Sequence, residues 1–331
     1  MTDPSPDTAH AHQFLEARRR WRPIEIAFWL ATLAPFVVTP SYLSLASQIA
    51  ITALFALSLD LILGYAGMVS LGHAAFFGIG AYAAGLISKY WWSEPLSGLA
   101  AAAALAGIAG YGASFIVARF RHLALIMITL GLGLLLHEAA NSASALTGGN
   151  DGLQGVNVGP LLGFDFDLYG RTAYAYSLAA LFLAFLFARR LIHSPFGLAL
   201  RGIRENMQRM PAIGAPVQAH LRKIYALSAV LAGIAGALLT QTTETVALEV
   251  LSFERSADVL VILILGGAGR LYGGILGALI YMIARDQFSG INPQFWYFWI
   301  GLLLIGVVSF LPNGILGGLA RLAARRRGRA P

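Results

Sequence analysis

The stretch from residue 57 to 86, LSLDLILGYAGMVSLGHAAFFGIGAYAAGL, constrains this chain more than any other. It is apolar enough to lie in a bilayer, yet it carries Asp60, Ser70 and His73. It also holds six glycines: Gly64, Gly67, Gly72, Gly78, Gly80 and Gly85. A plain lipid anchor needs none of these. Glycine lets backbones approach closely or lets a helix break and resume. Broken backbone at membrane depth survives only where protein or a water-filled path satisfies it. The stretch therefore reads as part of a translocation pathway.

The rest of the chain fits a membrane setting. It is 57% hydrophobic and 12% charged, against about 25% charged in soluble domains. Several apolar runs approach the length that a bilayer core requires. The net charge of +7 does not point to nucleic acid, because the arginines cluster between apolar runs and at the two ends, a positive-inside pattern. Cysteine is absent, which excludes disulfides and thiolate metal sites.

Residues 1–17 are polar and read as a flexible cytoplasmic tail. Arg18, Arg19, Arg20 and Arg22 hold that end inside. The run at 24–39 lacks a convincing cleavage site and is expected to stay as a first, short span. Further spans are expected at 43–64, 68–90, 97–118, 122–140, 172–188, 224–243 and 295–311. The loop at 142–171, with Asp151, Asp165 and Asp167, fits the outer face. The loop at 193–223 carries Arg201, Arg204, Arg209, Arg222 and Lys223 and is the clearest cytoplasmic segment. A single helix over 257–284 would be roughly 42 Å long, more than a bilayer core needs. GGAGRLYGG interrupts it at 266–274, so a broken or re-entrant element is expected. Both termini then lie inside, with a transmembrane permease domain at 18–318 and a basic tail at 319–331. Gly64-Tyr65-Ala66-Gly67 and Gly266-Gly267-Ala268-Gly269 open similar Gly-rich segments, the mark of a two-half internal repeat. The fold class is all-α and polytopic, with about eight to ten transmembrane helices.

The only lysines, Lys89 and Lys223, do not follow a glycine, so no phosphate-binding loop exists in this chain. No nucleophile triad or zinc motif is visible, and the chain is read as a non-enzyme. The pathway candidates are Gly64, Gly67, Ser70, Gly72, His73, Gly266, Gly267 and Gly269. Asp60 either caps a helix break or lines the path, and His73 either bonds a neighbouring helix or lines the path. His137-Glu138 reads as a boundary feature, and Arg270 faces a cavity or snorkels. The acids gather near the ends of spans, which disfavours a proton-driven carrier. TGGNDG at 147–152 builds tight turns and is either a surface loop or an entry site at the outer mouth. Leu198 to Met207 forms an amphipathic stretch suited to docking on a partner.

The segments LILGYAGMVSLGHAAFFGIGAYAAGL (61–86), LTGGNDGL (146–153), SPFGLALRGIREN (194–206), LSAVLAGIAGAL (227–238) and LGGAGRLYGGILGA (265–278) occur together and in order. In these the chain resembles the LivM-type permease subunits of branched-chain amino acid ABC importers. The resemblance implies a second, LivH-type permease subunit, two ATP-binding subunits of LivG/LivF type, a periplasmic binding protein and a bacterial inner membrane. ATP would be bound by the partner subunits, and this chain would bind no cofactor. By that likeness Pro195, Arg201, Arg204, Glu205, Asn206 and Gly214 belong to the ATPase-coupling element, and Gly148, Gly149, Asp151 and Gly152 to the periplasmic loop motif. Where the family usually continues a helix, this chain has MQRMPAIGAP, and Pro211 and Pro216 are expected to shorten it. The chain is also similar to subunits that import urea, short amides and other small carboxylates, so the alternative is a permease subunit of the same kind for urea, amides or other small solutes. The readings from other classes are an ion-gradient-driven transporter and a channel-like facilitator, neither of which needs a basic docking loop.

Overall fold

The computed structural model describes residues 23–38, 40–167, 170–311 and 314–318. The expected N-terminal tail with Arg18–Arg22 and the basic tail at 319–331 lie outside the described residues.

Thirteen α-helices and no strand occur among the described residues. The expected first span at 24–39 is not one helix. It divides into α1 (Pro23–Ala31) and α2 (Pro35–Val38). Proline has no N–H and clashes with the preceding turn, so the chain bends at Thr32–Ala34 and restarts at Pro35. Helix α3 (Leu43–Asp60) runs on into a π-helical turn, Leu61–Tyr65. The segment expected as a helix over 68–90 starts later. Residues 66–73 are irregular, and α4 spans Ala74–Tyr90. The left-handed backbone of Gly67, at φ 72°, ends the helical path.

Helices α5 (Pro95–Val117), α6 (His122–Ser142) and the short α7 (Ser144–Thr147) lead to the long loop. Helix α8 (Arg171–Ile192) returns to α9 (Pro195–Glu205). Ser194 caps α9 by accepting the Gly197 N–H, and Gly197, Leu200 and Ile203 form its buried stripe. The chain then passes through a 3-10 turn, Met210–Ile213, into α10 (Val217–Thr243). The glycine-interrupted segment is α11 (Phe253–Gly266) and α12 (Leu271–Ile291), bent by 112°. Helix α13 (Trp296–Phe310) closes the described bundle.

Five helices are long and apolar enough to cross a bilayer alone, and the bent pair makes a sixth candidate. The expected count of eight to ten is reached when α4, the α1–α2 pair and α13 are added. Of these, the first has 17 residues and the others are short and apolar.

Helix α10 is the axis of the bundle and packs along α5, α4 and α3. Its contact surface is built from small residues: Gly233 lies against Ala102 and Ala106 of α5, and Gly80 of α4 lies against the backbone of Gly233. With lipid as solvent there is little hydrophobic drive between helices, so close backbone contact supplies the association. The outer surface is apolar for the complementary reason. On α6 only Leu125, Thr129 and Gly133, spaced at i, i+4 and i+8, are buried. At the basic end of the bundle the Arg189 guanidinium meets the Glu25 carboxylate at 2.8 Å and ties α8 to α1.

A side chain at position 80 would overlap the Gly233 backbone. Gly80→Val is expected to destabilise the protein by about 1–3 kcal/mol, read as a lowered unfolding midpoint in detergent. Gly112→Ala meets nothing within 4 Å and should leave the midpoint unchanged.

Candidate functional site

The two glycine breaks, about 200 residues apart in sequence, meet in space. The Asp60 Oδ1, at the end of α3, accepts the Gly269 N–H at 2.7 Å. A Cβ on Gly64 would overlap both that carboxylate oxygen and the Gly269 backbone. Only a hydrogen fits there. Asp60 is 1% exposed, and its Oδ2 has no hydrogen-bond partner among the described residues. The sequence left Asp60 between capping and lining, and here its carboxylate caps the break in the other half of the chain.

Helix α9 reaches this junction from below. The Arg204 guanidinium donates to the Gly64 carbonyl. A Cβ at Gly269 would sit 2.9 Å from the same guanidinium, and one at Gly67 3.1 Å from the Arg204 Cγ. Arg201, one turn earlier, places its guanidinium 5.4 Å from the Tyr65 ring centroid. The two arginines therefore grip both breaks. Glu205 and Asn206 remain exposed, and the Asn206 Oδ1 accepts the N–H groups of Gln208 and Arg209, turning the chain out of the helix. Pro195 is the exposed first residue of α9, and Gly214, at φ 80°, forms the turn before α10. Arg270 donates to the Leu316 carbonyl at 2.6 Å.

Beyond the junction, residues 66–73 run without a helical ladder. Side chains from neighbouring helices supply the missing partners. Thr129 of α6 accepts the Leu71 N–H at 3.2 Å, and Ser256 of α11 accepts the Ala74 N–H at 2.9 Å. Ser58 already donates to the Phe55 carbonyl at 2.6 Å, so it accepts from the His73 Nε2 at 2.9 Å. That fixes the proton of the imidazole on Nε2. Ser228 of α10 donates to the Ser58 carbonyl at 2.6 Å. His73 is thus buried and links the start of α4 to α3. Ser70 is buried beside it, and Gly72 packs against the Thr129 backbone.

A cavity of about 880 Å³ opens on the other side of this layer. Gln48, Thr52 and Phe55 of α3, Phe77 of α4, Glu254, Arg255 and Asp258 of α11, and Arg285 of α12 face it. None of the eight pathway candidates lines it. Phe55 belongs to both regions: it is among the residues that line the cavity, and its ring stacks on His73, with centroids 5.4 Å apart and planes at 6°. Gly266 and Gly267 lie elsewhere again, where α11 and α12 fold back on each other. The charged wall from Arg255 to Arg285 escaped sequence reasoning. The spacing of Arg255 and Asp258 by three residues, on one helical face, was the available signal.

The loop motif is structural in build. Gly148, Gly149 and Gly152 have φ of 81°, 59° and 72°, and Asp151 is exposed. The loop is latched to the connection that follows α10 by paired backbone bonds between Leu153 and Val246, at 2.8 and 3.1 Å. This places Asn150 on the cavity wall, together with His137, which the sequence had marked only as a boundary.

A family model described as branched-chain amino acid transport system / permease component matches residues 41–308. The chain belongs to this family. It is a multi-pass membrane protein of the permease type. The permease is 28% identical over 314 residues to the high-affinity branched-chain amino acid transport system permease protein LivM of Escherichia coli, a match covering 87% of this chain and 72% of that one. A Salmonella typhimurium LivM matches at 28% over 315 residues, with the same shares. A probable branched-chain amino acid transport permease protein LivM of Methanocaldococcus jannaschii is 26% identical over 310 residues, covering 78% of this chain and 88% of that one. No solved structure matches the permease.

Removing a hydroxyl from the layer leaves a buried N–H without a partner. Ser256→Ala is expected to cost about 1–3 kcal/mol of stability, measured by detergent unfolding. Ser256→Thr, which keeps the acceptor, should recover most of it.

Proposed function

We propose that this chain is one of two permease subunits of an ATP-driven importer of branched-chain amino acids in the bacterial inner membrane. Its partners would be a LivH-type permease, two LivG/LivF-type ATPase subunits and a periplasmic binding protein. ATP is then bound by the ATPase subunits, and this chain needs no cofactor of its own.

The observation that carries this reading is the Arg204 contact. A short amphipathic helix, exposed on one face, places a fixed charge on the backbone of both glycine breaks. Helices α3 and α11 each run from the cavity to those breaks. A force on α9 therefore acts on two helix ends at once. An ATPase pair closing on α9 would push Arg204 against Gly64 and Gly269 and shift the layer beneath Phe55. The distribution of charge supplies the orientation. The arginine-rich connections lie at the junction end and the acidic loops at the cavity end, so the junction faces the cytoplasm and the cavity the outside. The binding protein would deliver solute to the cavity, and both termini would be cytoplasmic. An ion-gradient-driven carrier has no use for an external force applied through α9.

Purification of the tagged chain in mild detergent should recover a second permease and two ATPase chains. Recovery of the chain alone, with gradient-driven uptake in liposomes, would overturn the proposal. Arg201→Glu with Arg204→Glu replaces both cations of the grip by anions, and ATP-driven leucine uptake is expected to fall by at least about tenfold. Undiminished uptake would remove α9 from the coupling path.

A further inference from the structure

The cavity between α3, α11 and α12 has a charge arrangement that force transmission does not use. Arg255 and Arg285 stand on its wall with Glu249, Glu254, Asp258 and Asp286. Among the described residues, neither arginine makes an ion pair within 4.0 Å. Each guanidinium rests instead over an aromatic ring. Arg255 lies 5.5 Å from the Phe77 centroid and Arg285 4.9 Å from that of Trp296. The Asp258 Oδ1 accepts the Tyr281 hydroxyl at 2.9 Å, which fixes the direction of that carboxylate. Ile51, Phe55, Phe77 and Met282 provide an apolar floor.

Charges of both signs, held apart and unpaired beside an apolar surface, are costly in a membrane protein and mark a functional site. Their arrangement matches a ligand with a carboxylate, an ammonium and an aliphatic side chain. The volume is that of a small-molecule pocket. We infer that this cavity is a transit site for an aliphatic α-amino acid: Arg255 receives the carboxylate, Asp258 the ammonium, and Phe55 and Phe77 the side chain. The inference rests on the function proposed above and places its substrate. Phe55 then both touches the solute and caps the His73 layer, so the floor under the solute is the part that coupling moves.

The test uses the assembled transporter in liposomes, with its binding protein. Arg255→Gln is expected to lower leucine uptake by about tenfold, while the amount of assembled transporter, read by size-exclusion chromatography, stays at the wild-type level. Arg255→Lys should restore part of the uptake. Met282→Trp, which fills the floor, should also reduce uptake in the assembled transporter. Because this chain has no cysteine, Thr52→Cys and Ser289→Cys give single reporters of the cavity, read on this chain by mass spectrometry. A charged, water-soluble thiosulfonate should modify both, and L-leucine, but not an equal concentration of sucrose, should slow the reaction. ATP-dependent uptake that is unchanged in Arg255→Gln and Met282→Trp would overturn the transit site and leave the importer reading standing. Modification that leucine does not slow would also overturn it. So would modification blocked only by the second permease subunit, which would assign this wall to a subunit interface. Wild-type uptake independent of ATP would sink the importer reading itself.

Discussion

Backbone without a helical ladder cannot remain in an apolar environment unless other groups satisfy it, and the whole bundle answers that demand at residues 66–73. Five elements meet around it. Helix α6 offers Thr129 to the Leu71 N–H and α11 offers Ser256 to the Ala74 N–H just beyond the stretch, Ser58 of α3 holds the His73 ring with Ser228 of α10 behind it, and α9 brings Arg204 to the Gly64 carbonyl just before it. Each is a small hydroxyl or a long cation that reaches across a tight helix contact. Close glycine contacts bring several of these groups within range: Gly72 lies against the Thr129 backbone, and Gly64 against Asp60 and Gly269.

The same demand explains why the two glycine breaks meet. A helix end leaves unsatisfied N–H and C=O groups. Here the carbonyl of Gly64 is met by Arg204 and the N–H of Gly269 by Asp60, so each break is completed by a residue from another part of the chain. Neither half can shift at its break without disturbing the other. That makes the junction a mechanical unit rather than two flexible points, and it gives a short helix outside the bundle a direct hold on both.

Much of the architecture was legible beforehand. The apolar runs located the long helices, the arginine clusters marked one end of the bundle, and GGAGRLYGG marked the bend between α11 and α12. The misses have specific causes. Pro35 divides the first run because a local backbone constraint outweighs hydropathy over a short segment. The late start of α4 at Ala74 depends on Thr129 and Ser256, which lie far away in sequence. Gly64, Gly72 and Gly266 stand against neighbouring backbone, and none of the pathway candidates lines the cavity. A glycine looks the same in sequence whether it faces solute or another helix.

The sequence by itself determined the setting and the class and located the long helices, because hydropathy, charge distribution and glycine or proline punctuation act locally and can be read in a window. Only the tertiary structure decided which residues work together. Asp60 with Gly269, Arg204 with Gly64, and Arg255 with Phe77 are separated by 140 or more residues. Their pairing depends on how closely the helices cross, and that distance is set by the small residues that meet at each crossing, such as Gly64 against Gly269 and Gly274 against Ala56, which no local pattern encodes.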